Sequence, residues 1–289
     1  MAESYIYVSS DGVDEQLLKT LVEHGVTLDW WERRFDCIGG RVPPERGEEI
    51  NSSVEALDSV CAIERARVSP GEDVLIEDTE HAVLEPGFDL EEYGFGKAHE
   101  TVAEAAPDDR FVPRIAVIDS GIDTRNDRIE HVTERINLTD EEALDSTGHG
   151  TVTASVLGYA MRFEKEIVDV KVAGRSGTTE GAVIRALGEC LRRDVDLINL
   201  GLGFPGHETR DLCPLCRAAE ATVSSGVLLT AAAGNHGRPG RPMPEPECPA
   251  RSEEVLAAGS VNDRKRPKYY SGSGDLFVED DWRVHVPRE

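Results

Sequence analysis

Apolar positions along the first 68 residues follow two periods in turn. Residues 5–8 form a short apolar run of strand length, and apolar side chains at 13, 17, 18, 21 and 22 share one helical face that Gly25 ends. Residues 26–31 and 34–42 read as two strands, 45–57 as a second helix, and 59–68 as a last strand closed by Ser69-Pro70-Gly71. The order β-α-β-β-α-β is a ferredoxin-like pattern. Residues 1–69 are therefore expected to fold as a small α+β unit.

Beyond residue 111 the pattern changes to strongly apolar runs at 114–118, 167–172, 195–200 and 227–232, separated by stretches of helical length at 149–160, 179–193 and 211–225. Strands apolar on both sides and alternating with helices predict a parallel α/β sheet. Between the two regions, residues 70–110 are dense in Asp and Glu with little periodicity and read as an acidic linker. The expected organisation is thus 1–69, a linker at 70–110, and an α/β domain at 111–289. In such sheets ligands gather beyond the carboxyl ends of the strands, where Asp119 and Asn235 both fall.

Composition narrows the function. The 56 acidic and 31 basic residues give a formal charge of -25, which argues against nucleic acid or an anionic membrane surface as a partner. Only six of the basic residues are Lys and 25 are Arg. A carboxylate-rich, Lys-poor surface suits high ionic strength, where salt screens its self-repulsion, and the chain reads as salt-adapted. It has no apolar run of about 18 residues and no basic-then-apolar leader, so a cytoplasmic location is expected. Six cysteines without framework spacing agree with a reducing compartment.

Three short strings carry the chemistry. Asp119 ends the run Val117-Ile-Asp-Ser-Gly121, His149 lies in Thr147-Gly-His-Gly-Thr151, and Asn235 closes Ala231-Ala-Ala-Gly-Asn-His-Gly237. Taken singly, Asp119 and Asn235 are residues of the type that form turns. His149 changes that reading: flanked by glycines at a helix start, with Ser146 and Thr147 available as caps, it has little apolar packing to do. The helix dipole opposes imidazolium formation there, and a neighbouring carboxylate would offset it.

In this order the three strings resemble the subtilisin-like serine peptidases (subtilases). The resemblance implies that Asp119 orients His149, that His149 is general base and then general acid, and that Asn235 holds the oxyanion. It also implies that Leu197-Ile-Asn-Leu-Gly-Leu-Gly203, through Gly201, Leu202 and Gly203, walls the specificity pocket, while Ser176 and Gly177 begin the opposite substrate-binding strand. Where the family usually has Ser this chain has Gly201, a departure expected to remove a hydroxyl without touching proton transfer. Residues 1–69 resemble the inhibitory prodomain, which would dock on the cleft in cis; peptides or proteins would be the substrates. The resemblance spans 111–278, and residues 280–289 are read as departing from it.

The family's Gly-Thr-Ser-x-Ala nucleophile string does not occur in these 289 residues. Subtilisin's serine follows its histidine by about 157 residues, which would place one at about position 306. Ser271 and Ser273 lack the flanking residues and are not assigned. The expected function is a serine endopeptidase whose serine is absent from this chain; the alternatives are a catalytically inactive pseudoprotease that binds peptides or proteins, and a decayed fragment that folds poorly. No cofactor is assigned. Calcium enters through the resemblance alone, since no loop has calcium-ligand spacing. Cys213-Pro-Leu-Cys216 with Cys248 and His236 or His207 offers zinc ligands, but a second close pair is missing, so the cysteines are read as packed thiols and no metal is expected.

Overall fold

The computed structural model describes residues 2–69, 83–86, 95–105, 112–126, 129–161, 163–205, 213–262, 264, 266–279 and 282–285. Its first elements are β1 (Glu3–Ser9), α1 (Glu15–Glu23), β2 (Thr27–Glu32), β3 (Cys37–Val42), α2 (Gly47–Glu55) and β4 (Val60–Arg65). The four strands form an antiparallel sheet in the order β2-β3-β1-β4, the ferredoxin-like arrangement the periodicity predicts. Asp14 caps α1 by accepting from Leu17 N at 2.8 Å. The helix then buries Leu17 and Leu21 against Tyr7, Val26, Ile38, Ile50 and Val54.

The next elements are β5 (Val68–Ser69), β6 (Val83–Pro86), α3 (Phe95–Ala105), β7 (Arg114–Asp119), β8 (Val132–Asn137), α4 (His149–Ala160), β9 (Glu166–Lys171) and β10 (Thr178–Thr179). They are followed by α5 (Glu180–Leu191), β11 (Leu197–Leu200), α6 (Pro214–Ser224), β12 (Leu228–Ala232), β13 (Leu256–Val261), β14 (Leu276–Glu279) and β15 (Trp282–His285). A seven-stranded sheet runs β14-β13-β12-β11-β7-β9-β8 with every neighbouring pair parallel. From central β7 the chain goes out to edge strand β8, returns through β9, and crosses to β11 on the other side. This places a topological switch between β7 and β11, whose carboxyl ends open a crevice.

The segment expected to be a plain linker carries β6 and α3. β6 pairs antiparallel with β15, and His99 on α3 places Nε2 2.7 Å from Ala160 O. The sequence pattern also misses β8, because this edge strand is only partly buried and is laced with ions: Glu134 pairs with Arg114 and Arg193, and Arg135 with Asp169.

The outer face of the antiparallel sheet contributes Ile6, Val8 and Cys37 to the same core as Val183, Leu187, Leu215 and Ala219 of α5 and α6. Trp30 lies over Gly181, where a Cβ would come within 2.6 Å of the indole. Arg192 Nη1 donates to Glu32 Oε2 at 2.8 Å. Arg67 grips the fully buried Glu180 with two bonds of 2.6 and 3.1 Å, after which β5 pairs antiparallel with β10.

Candidate active site

β7 delivers its last residue, Asp119, to the crevice. The strand is buried on both faces at Ile115, Ala116, Val117 and Ile118, so its position is fixed by packing. The Asp119 carbonyl accepts from Val172 N and Ala173 N at 2.9 and 3.2 Å, and its Oδ1 accepts from Ser120 N at 2.7 Å. The carboxylate is 1% exposed, and His149 Nδ1 stands 2.8 Å from Oδ1. The histidine side chain is 23% exposed. One end of the ring is thus held, through Nδ1, by a buried anion.

His149 is the first residue of α4, and a group the sequence reading did not single out holds it there. Asp145 Oδ1 accepts from Ser120 Oγ, Thr147 N and Gly148 N at 2.9 to 3.0 Å, and its Oδ2 accepts from Thr151 N and Oγ1 at 2.9 and 2.7 Å. This carboxylate, not the expected Ser146, ties the helix start to the turn after β7. Ser146 Oγ instead donates to Glu141 at 2.8 Å, and Thr147 Oγ1 accepts from His149 N at 3.3 Å. The signal was an acidic residue four positions before a Gly-His-Gly helix start. Gly150 is required by close approach, since a Cβ would meet Gly121 O at 2.2 Å.

Gly201, one residue past β11, completes the contact around the pair. A Cβ there would fall 2.5 Å from Asp119 Oδ2 and 3.2 Å from His149 Cε1. Gly201 therefore lies directly against the pair. Leu202 is buried. Asn235 is exposed three residues beyond β12, held along the crevice by backbone bonds from Gly272 N to Gly234 O and from Gly237 N to Tyr270 O. Ser176 and Gly177 belong to a tight turn in which Gly174 and Gly177 exchange backbone bonds of 3.1 and 2.9 Å. That turn feeds β10, the strand already paired with β5. Ser271 is buried, accepting from Ser260 N at 2.9 Å and donating to Gly272 O at 2.8 Å, so its hydroxyl serves the fold.

A second residue missed from sequence is Glu247, 8% exposed. Its carboxylate lies between the backbones of Gly203 and Gly234, where a Cβ on either glycine would come within 2.5 Å of it. It pairs with the exposed His236. No local pattern marks it; Glu247 reaches the crevice because its backbone N donates to Ala233 O at 3.1 Å. Among the described residues, the group of three or more side chains able to hold a metal ion is Cys213, Cys216 and Cys248, none of which is part of the aspartate-histidine pair; His207 lies outside the described residues.

The comparisons with known proteins agree with this geometry. The family model of the subtilase family, Peptidase_S8, matches residues 113–286, so the resemblance runs past residue 278 and includes most of the tail read as departing from it. The major intracellular serine protease of Bacillus subtilis (strain 168) is 33% identical over 167 residues, covering 52% of this chain and 51% of that protein. Subtilisin-like protease 9 of Arthroderma gypseum is 31% identical over 173 residues, covering 56% of this chain and 41% of that protein. The chain spans about half the length of the curated relatives it matches. The crystal structure of the Epidermin Leader Peptide Processing Serine Protease (EpiP) from Staphylococcus aureus superposes with a TM-score of 0.65 at 12% identity, over 96% of this chain and 75% of that one, a likeness of fold. No helix among the described residues is long and apolar enough to cross a membrane. With a parallel sheet, an aspartate-histidine pair at its switch point and a family match over more than half its length, this chain belongs to the subtilase family of serine peptidases.

Proposed function

We propose that this chain supplies the aspartate, histidine and oxyanion donor of a serine endopeptidase that hydrolyses peptide bonds in proteins. The observation that carries the reading is the 2.8 Å approach of His149 Nδ1 to a carboxylate shielded from water. With Nδ1 engaged, Nε2 takes the proton of an attacking serine and returns it to the leaving amine. Asn235 stabilises the tetrahedral oxyanion. The serine itself comes from polypeptide outside these 289 residues. The test is peptide hydrolysis by the protein as its source makes it: His149→Ala should abolish turnover without loss of folded structure, and unchanged turnover would overturn the reading.

Residues 1–69 act in this reading as a prodomain docked in cis. Support comes from the β5–β10 pairing, which occupies the edge strand next to Ser176 and Gly177, and from the Arg67–Glu180 ion pair beside it. An extended segment added to a strand edge is how substrates are commonly held, so release of this segment precedes activity.

In this reading Glu247 selects a basic side chain of the substrate. Glu247 lies against Gly203 and Gly234 with His236 as its ion-pair partner. A Lys or Arg of the substrate replaces that exposed imidazole and gains a charge-assisted bond. The acidic, Lys-poor surface suits this activity to high salt.

A further inference from the structure

Cys213 is the N-cap of α6 and Cys216 lies in its first turn. Cys248 comes from the connection between β12 and β13, drawn alongside by paired backbone bonds with Phe204 of 2.9 and 2.8 Å. The three sulfurs lie within 4.8 Å of one another, with Cys213 Sγ 3.4 Å from Cys248 Sγ. All three residues are buried and none forms a disulfide; a bonded pair would stand about 2.05 Å apart. Two charged groups adjoin the cluster. Glu180 Oε1 is 4.0 Å from Cys213 Sγ, and Arg67 Nη2 is 3.4 Å from the same sulfur while also holding Glu180.

Packed thiols need no common focus, and a metal site does. Around a tetrahedral zinc with Zn–S of about 2.3 Å, the sulfurs stand about 3.8 Å apart, within the range spanned here. Thiolates select soft ions such as zinc over calcium or magnesium. We propose that Cys213, Cys216 and Cys248 bind one zinc ion as thiolates, with Arg67, 3.4 Å from Cys213 Sγ, as an outer partner. Three thiolates exceed the ion's two positive charges by one, and Arg67 offsets that excess. Such an ion ties the start of α6 to the segment that carries Glu247, and ties both to the end of the N-terminal unit.

The test uses the 289-residue protein prepared under reducing conditions with zinc supplied. One zinc per chain is expected by elemental analysis, with a lower melting temperature after chelation. Replacement by Co2+ should give a thiolate-to-cobalt charge-transfer band, and bound metal should protect Cys213, Cys216 and Cys248 from alkylation while Cys61 still reacts. Cys248→Ser should lose the band and Cys61→Ser should keep it. Where Cys248→Ser does not fold, the alkylation pattern of the unsubstituted chain decides. A folded chain without stoichiometric metal, without the cobalt band and with all three thiols equally reactive overturns the proposal, as does a Cys213–Cys248 disulfide in protein isolated without air.

Discussion

Asp119, the last residue of β7, and His149, the first of α4, meet at 2.8 Å although 30 positions separate them in sequence. The buried carboxylate fixes which ring nitrogen carries the proton. Asp119→Asn keeps the shape but favours the wrong tautomer, and should lower kcat by about 10⁴-fold in the active form. Steady-state kinetics beside an unchanged circular dichroism spectrum checks this.

Gly201 faces the same two side chains. Gly201→Ala places a methyl within 2.5 Å of Asp119 Oδ2 and should displace the pair, lowering kcat more than it raises KM. Gly226→Ala, where a Cβ meets nothing within 4 Å but φ is +95°, should lower stability and leave kcat unchanged. The two kcat values separate displacement of the pair from general destabilisation.

In the proposed reading Glu247 selects a basic substrate side chain. Glu247→Gln should reduce kcat/KM for substrates with Arg or Lys at the cleaved bond by about tenfold to a hundredfold, the range of a charged hydrogen bond, and leave apolar substrates nearly unchanged. A matched pair of chromogenic peptides measures the ratio.

Arg67 neutralises Glu180, a carboxylate with no exposed surface. Arg67→Ala strands that charge and should cost about 3–5 kcal/mol in denaturant unfolding, with Glu180→Gln recovering part of the loss in the double variant. Additivity of the two losses would contradict the coupling.

Burial raises the Asp169 carboxyl from 3.8 to about 6, against the opposing pull of Arg135. A group whose folded pKa is raised adds stability that is complete below the unfolded value and lost as pH rises through the folded one. Relative to Asp169→Asn, the unsubstituted chain should therefore lose about 2.4 kcal/mol between pH 4 and pH 7, most of the full shift at about 1.36 kcal/mol per pKa unit. Paired unfolding curves at those two values measure it.

The sheet centre was legible because β7 is buried at residues 115–118 and β9, β11 and β12 bury the apolar side chains Ile167, Val168, Val170, Ile198, Leu200, Leu229 and Ala231. β8 and β6 were not legible, since edge and two-stranded pairings tolerate Glu134, Arg135 and Glu85. Asp119 and His149 could be read because the backbone demands glycines around them. Glu247 could not: it reaches its place through a backbone bond to distant Ala233 that no local pattern encodes. Cys213, Cys216 and Cys248 could be named together in sequence, but not that their sulfurs lie within 4.8 Å of one another.

The most direct test of the central claim is mass spectrometry of the protein purified from its source after reaction with a fluorophosphonate probe. A serine labelled on polypeptide continuous with or bound to these 289 residues, with labelling lost in His149→Ala, is the predicted result. A folded chain with no labelled serine on it or on any associated polypeptide would contradict it, leaving a peptidase frame that binds without cutting.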